Sequence, residues 1–167
     1  MSCLGVHFSL SGAEVQRLRE IEDESERVDH VHEVLEVEYF EQHPERLAEN
    51  DKAWDAMHRT LADGELSYDG GEYPLNHVIL GGEPLYTESD FIMVLKTPPQ
   101  VRDVAAALPA VTEEDFRARY FGIDAEGYGM ELSEVDFGYT WDYFQAVREF
   151  WLRAAGEGRF VLFTASQ

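Results

Sequence analysis

Cysteine is almost absent from this 167-residue chain, in which Cys3 is the only one. A single cysteine excludes an internal disulfide and a cysteine-rich zinc site. A chain without disulfides suits a reducing compartment, and we therefore expect the cytoplasm as its location. The sequence also lacks a phosphate-binding glycine loop with lysine, a dinucleotide fingerprint and a Gly-x-Ser-x-Gly elbow, so no cofactor is expected.

Basic residues are scarce as well. The chain has 13 Lys and Arg against 34 Asp and Glu, which gives a formal net charge of −21. Phosphate backbones and anionic lipid surfaces repel such a protein at long range. We therefore expect neither nucleic acid nor a membrane as a partner, whereas a basic protein remains a candidate. The sequence does not indicate an oligomeric state.

Long apolar runs are missing too. No segment approaches the ~20 apolar residues that a membrane-spanning helix needs, and residues 1–12 lack the basic stretch and apolar run of a secretion signal. Hydrophobic residues nevertheless make up 44% of the chain. This supply, the length and the absence of a linker or repeat predict a single domain over residues 1–167.

Three segments have the pattern of β-strands. Leu4, Val6, Phe8 and Leu10 alternate with small or polar residues, which predicts a strand with one buried face. The continuous apolar run over residues 91–95 predicts a doubly covered strand in the middle of the sheet. Residues 160–163 predict a final strand.

Helical spacing of apolar residues predicts the remaining elements. Ser11 and Glu14 form the pattern of a capping box at the start of one helix. A second helix is expected over 25–42, with a heavily acidic outer face, and a third after Asp51, which would be its N-cap. Three more are expected over 97–108, from Thr112 to 122, and over 138–155. We predict an α/β fold in which helices flank a small mixed sheet.

Several segments resemble the YfbM-like family of bacterial domains of unknown function. The most specific are residues 51–58 and 78–82, which contain Lys-Ala-Trp and Leu-Gly-Gly. Weaker matches are Thr97-Pro98, Val101, Ala107-Leu108, Thr112 and Ala154-Ala155. The resemblance covers nearly the whole chain and implies a three-layer αβα sandwich, but no activity and no catalytic residues. The acidic helix around 22–41 is longer and more charged than is expected for that family.

Two segments have partial metal-binding patterns. In His32-Glu33-Val34-Leu35-Glu36 a glutamate stands where the zincin helix motif has its second histidine, and His30 or His43 could add a ligand. In the loop that starts at Asp124, Tyr128 and Val135 replace oxygen ligands of a calcium loop. A solvated acidic face and an ordinary loop explain these segments better, and no metal is predicted.

Trp54, Asp55 and His58 form the best candidate site in the sequence. Trp54 and His58 lie one helical turn apart, and Asp55 could orient the histidine ring. The alternative is structural, with Trp54 in the core, Asp55 paired with Arg59, and His58 a packed histidine. His77, beside Gly81 and Gly82, is a further candidate with the same alternative.

Aromatic residues crowd the start of the last predicted helix. Tyr139, Trp141, Tyr143 and Phe144 could build a ligand groove or a wall of the core, and their helical spacing favours the core. Trp141 is the one we expect to stay partly exposed. No basic residues lie among them, which argues against base stacking.

The absence of a catalytic motif and the strong negative charge favour a non-catalytic domain that binds a basic protein, like an inhibitor or an immunity protein. The alternative is a small hydrolase or ligand-binding protein with a site at the sheet edge around Trp54, His58, His77 and Gly82. Convergence of these residues in one cleft would favour the alternative.

Overall fold

The computed structural model describes residues 3–167, so the predicted absence of a signal sequence lies partly outside the described residues, at Met1 and Ser2. Five strands form one sheet in the order β2-β1-β5-β4-β3, and every strand pairing in it is antiparallel. The strands are β1 Gly5–Leu10, β2 Leu47–Asp51, β3 Glu83–Pro84, β4 Phe91–Lys96 and β5 Phe160–Ser166.

The first helices of the chain pack on one face of the sheet. α1 (Gly12–Glu20) opens with the predicted capping box, in which Ser11 and Glu14 exchange hydrogen bonds of 2.9 and 3.2 Å. α2 (Glu24–His30), a π-helical turn (Val31–Leu35) and α3 (Glu36–Gln42) then follow without a break. We call residues 24–42 the acidic helix; they confirm the helix predicted over 25–42.

The remaining helices follow β2. They are α4 (Trp54–Leu61), α5 (Pro98–Ala107), α6 (Glu113–Tyr120), α7 (Ala125–Tyr128) and α8 (Glu134–Gly156). Single 3-10 turns occur at Pro44–Arg46, Leu75–His77 and Leu108–Ala110. α8 begins before the predicted residue 138 because Ser133 caps it, accepting a hydrogen bond from the Asp136 amide at 3.1 Å.

Two hydrophobic cores lie on opposite faces of the sheet. On one face, Phe8, Met93 and Leu162 pack beneath α1 and the acidic helix. On the other face, Val94 and Phe163 pack beneath α4, α5, α6 and α8. Helices therefore cover both faces, which confirms the predicted α/β fold and its three-layer arrangement, although the sheet is antiparallel throughout rather than mixed.

Three details of the sheet differ from the expectation. β5, not β4, is the middle strand. β1 is covered on both faces rather than one, since His7 and Ser9 are as buried as Phe8. Asp51 does not cap α4, whose N-cap is Ala53; it ends β2 with a φ of 47° and accepts a hydrogen bond from the Tyr139 hydroxyl. Contacts between residues far apart in the sequence determine the strand order, the burial of β1 and the role of Asp51.

Within residues 3–167, no helix combines the length and the apolar character needed to cross a membrane.

Candidate functional site

Trp54 and Asp55 have structural partners at the start of α4. Trp54 is buried against Phe163, with ring centroids 5.8 Å apart, and its indole N–H donates to the Cys3 carbonyl at 2.7 Å. Asp55 does not orient His58; it accepts a hydrogen bond of 2.6 Å from the buried Arg59 guanidinium. The Trp54 contacts attach α4 to the sheet and to Cys3, whereas the Asp55–Arg59 pair lies within α4; these are the structural roles that the alternative gave to the two residues.

His58 is buried within the domain. Its Nε2 lies 2.9 Å from the Ser67 carbonyl, which can only accept, so Nε2 carries the proton of a neutral ring. Burial is the largest of the effects that lower the pKa of His58 to about 4, and the charge that Lys96 carries when protonated contributes to the lowering. Nδ1 is buried without a hydrogen-bond partner among the described residues. His58 is therefore an uncharged imidazole at neutral pH.

His77 and Gly82 lie on the segment that crosses the end of β4. Half-buried His77 contacts the Tyr73 ring at 4.8 Å, and burial lowers the pKa of His77. Gly82 has a φ of +131°, and a Cβ atom there would lie 2.5 Å from the Leu95 carbonyl oxygen. The glycine of the Leu-Gly-Gly sequence thus lets the backbone touch β4.

Beneath this segment the structure places two buried basic residues that the sequence did not single out. Lys96, at the end of β4, is fully buried; its Nζ donates to the Ile79 carbonyl and lies 5.6 Å from the centre of the Phe163 ring. Burial holds the pKa of Lys96 well below its usual range. Since the structure describes no carboxylate in an ion pair with it, the uncharged amine is favoured.

His7 is the second of these residues. Its Nε2 lies 2.8 Å from the Val78 carbonyl and its Nδ1 lies 2.7 Å from Asn50 Oδ1, so both ring nitrogens face an oxygen. Burial, followed by the Lys96 charge, lowers the pKa of His7 to about 3. A neutral ring that donates through Nε2 must accept through Nδ1, so Asn50 has to turn its amide nitrogen toward the ring. That orientation also gives a partner to Asn50 Nδ2, which otherwise has none.

We name His7, His58, His77 and Lys96 the buried basic cluster. Lys96, when protonated, lowers the pKa of each of the three histidines, so each histidine lies within electrostatic range of Lys96. His58 and His77 were candidates from the sequence, whereas the only sequence signal for His7 and Lys96 was that they are polar residues on otherwise apolar strands. Neither the cleft along β2 nor the smaller one beside Leu108 and Arg148 is lined by a member of the cluster.

Trp141 belongs to an aromatic cluster on α6 and α8. It lies half-buried, with its ring 5.3 Å from that of Phe116, and the Arg148 guanidinium lies 5.3 Å from its centre. The nearby Tyr143 instead faces a cleft at the edge of the sheet. The aromatic residues of the last helix thus divide between the core and an open surface.

That cleft has a volume of about 1010 Å³ and follows the edge strand β2. The acidic helix forms one wall, with His32, Glu36 and Phe40. α8 forms the other wall, from Tyr143 to Arg153, and the floor includes Leu47, Ala48 and Glu49 of β2. We call it the β2 cleft.

The β2 cleft combines an apolar floor with an acidic rim. Its carboxylates are Glu36, Glu45, Glu49, Asp51 and Glu149, against one arginine, Arg153. Within the described residues, Glu49 and Glu149 form no ion pair, and the apolar side chains of Leu4 and Phe40 are exposed inside the cleft. This surface attracts cations and offers apolar area for contact.

The zincin-like segment lies on the wall of this cleft. His32 Nδ1 lies 3.2 Å from Glu36 Oε1, so the pair satisfies itself on the helix surface. Among residues 3–167, no group of three or more His, Cys, Asp or Glu side chains is placed to hold a metal ion.

We therefore expect zinc in modest excess to leave the melting temperature unchanged, because a ligand stabilises a protein only by binding its native state preferentially. Differential scanning fluorimetry checks this. A rise with zinc that disappears in His32→Ala would contradict it.

Comparisons with known proteins agree with the fold and leave activity open. The chain is similar to the crystal structure of a protein of unknown function, YfbM from Escherichia coli, with a TM-score of 0.69 and 19% identity, covering 97% of this chain and 99% of that chain. The curated proteins give no match. A family model described as a domain of unknown function (DUF1877) matches residues 1–164. The chain therefore belongs to the DUF1877 family.

Proposed function

We propose that this protein is a non-catalytic interaction domain of the cytoplasm that binds a basic partner protein, in the manner of an inhibitor or an immunity protein. The observation that carries the proposal is the β2 cleft, where five carboxylates, with Glu49 and Glu149 outside any described ion pair, lie beside the exposed apolar side chains of Leu4 and Phe40. A contact surface needs both properties, since apolar area supplies affinity and complementary charge supplies rate and selectivity.

The distribution of charge supports the same surface. Fifteen consecutive residues of the acidic helix, 24–38, contain Glu24, Glu26, Asp29, Glu33, Glu36 and Glu38 against Arg27 as the only arginine or lysine. Glu33 points to solvent and Glu36 lines the cleft. The helix and the cleft thus form one negative region rather than two separate ones.

A small hydrolase or ligand-binding protein stays as the second candidate. The lowered pKa values of His7 and His58 favour it, because perturbed titratable groups concentrate at functional sites. A substrate would have to reach them, however, and the described clefts do not. The interaction domain needs no such opening and is the better supported proposal.

Reversing the charge of Glu33, Glu36 and Glu38 to lysine should slow capture of a basic probe. With an oligomer of about ten lysines, we expect association to slow by about tenfold at low salt, and expect added salt to remove most of this difference. Stopped-flow fluorescence or surface plasmon resonance measures the association rate.

The matched control reverses Glu65, Glu126 and Glu131, which are exposed and do not line the β2 cleft. Both triple variants have the same net charge. If they capture the lysine oligomer at the same rate, only total charge matters and the proposed surface is wrong. Circular dichroism should show that both variants remain folded.

A further inference from the structure

The two edges of the sheet are built differently. β3 at one edge has only two residues, and one of them is Pro84, which has no N–H to donate. β2 at the other edge has five residues and no proline. Since a strand in an antiparallel sheet directs alternate N–H and C=O groups to either side, β2 presents part of its backbone away from β1.

Only part of β2 is regular. Leu47, Ala48 and Glu49 pair in sequence with Phe8, His7 and Val6, and a bulge at Asn50 then shifts the register. Bulges and charged residues are common devices that protect an edge from aggregation. In this protein, however, the regular part of β2 forms the floor of the β2 cleft rather than a bare edge.

The walls of the cleft define what could lie beside β2. Leu47 and Glu49 share the sheet face that the acidic helix covers, and Ala48 shares the face that α8 covers. A strand added at this edge would therefore have a wall on both of its faces. Carboxylates stand on both walls, Glu36 on one and Glu149 on the other.

We propose that the outer edge of Leu47–Glu49 binds an extended peptide segment that contains apolar and basic residues by β-strand addition. Main-chain hydrogen bonds to the edge would supply affinity, and the apolar and acidic walls would select the side chains. This inference rests on the proposed function and specifies how the basic partner would bind.

The probe is a blocked peptide of alternating valine and lysine, about eight residues long, which exceeds the usual strand length. Amide hydrogen exchange is followed by NMR with and without saturating peptide. We expect at least one amide of Leu47–Glu49 to exchange about tenfold more slowly with the peptide, because it becomes hydrogen-bonded. The amide of Glu83, at the opposite edge, serves as the internal control and should not change.

Two matched peptides separate strand pairing from charge. A version N-methylated at every residue keeps the side chains and the charge but cannot donate main-chain hydrogen bonds, and we expect its affinity to fall by at least about tenfold. A valine–glutamate version should not bind.

Strand addition is overturned if the valine–lysine peptide does not bind, if it binds without slowing any amide of Leu47–Glu49, or if N-methylation leaves its affinity unchanged. The proposed function is tested separately by the lysine oligomer. If the two triple variants differ with that oligomer while β2 shows no protection, the acidic surface stands and only the mode of binding is wrong.

Discussion

Replacing Trp54 with alanine is expected to lower the free energy of unfolding by about 3–5 kcal/mol, the usual cost of truncating a buried aromatic side chain. Trp54 is buried between α4 and the sheet. The alanine variant lacks both the ring contact with Phe163 and the hydrogen bond to the Cys3 carbonyl. Its ring also fits over Gly5, where a Cβ atom would lie 2.7 Å from Trp54 Cδ1. Urea denaturation measures the change.

The matched control is Trp141→Ala, which removes the same side chain from a half-buried position. We expect it to cost less, because less apolar area is lost from the interior. A Trp54→Ala protein as stable as the wild type would show that the ring is not a core anchor, and would reopen the ligand groove considered for α4.

Acidification from pH 6.5 to 5 is expected to destabilise the protein by about 2 kcal/mol for each of His7 and His58. The pKa of each histidine is lower in the folded protein, about 3 and about 4, than the ordinary 6.5 of an unfolded chain. Below pH 6.5 the unfolded chain therefore binds protons that the folded protein excludes. Stability is full above pH 6.5 and falls as the pH approaches the folded pKa values.

Urea unfolding at pH 7, 6 and 5 for the wild type, His7→Gln and His58→Gln tests this expectation. Each variant is less stable at pH 7, but its stability should fall less steeply because one titrating group is gone. The window stops at pH 5 because carboxylates titrate below it, and in a chain of charge −21 their protonation also relieves repulsion. Equal slopes for all three proteins would mean that these histidines are not held neutral.

The helices and their limits could be predicted because their signals are local. Ser11 and Glu14 lie close in sequence and cap α1 regardless of the rest of the fold. In the acidic helix, Val31, Leu35 and Tyr39 recur every fourth residue, and all three are buried as that spacing predicts. A π-helical turn in the middle does not alter this face enough to hide the pattern.

The sheet edge and the β2 cleft could not be predicted in the same way. The β2 sequence, Leu-Ala-Glu-Asn-Asp, has few apolar residues and no β-branched side chain. It becomes a strand because Ala48 packs on the second core and Asn50 contacts His7, forty-three positions away. Such contacts leave no periodic trace in the sequence.

The buried basic cluster escaped prediction for a related reason. Lys96 follows the apolar run of β4, and a lysine in that position is typical of a strand end at the surface. It is buried because the segment with Leu75–His77 folds over the end of the strand and places the Ile79 carbonyl above the amine. The position of His58 was predictable from helical spacing, whereas its partner, the Ser67 carbonyl, was not.

The central place of β5 has a consequence for the order in which the chain can fold during synthesis. β1 pairs with β2, and β4 pairs with β3, but only β5 connects these two pairs. The ribosome makes β5 after every other strand. The sheet can therefore close only once residues 160–166 have emerged, through contacts of high sequence separation between β5 and its neighbours β1 and β4.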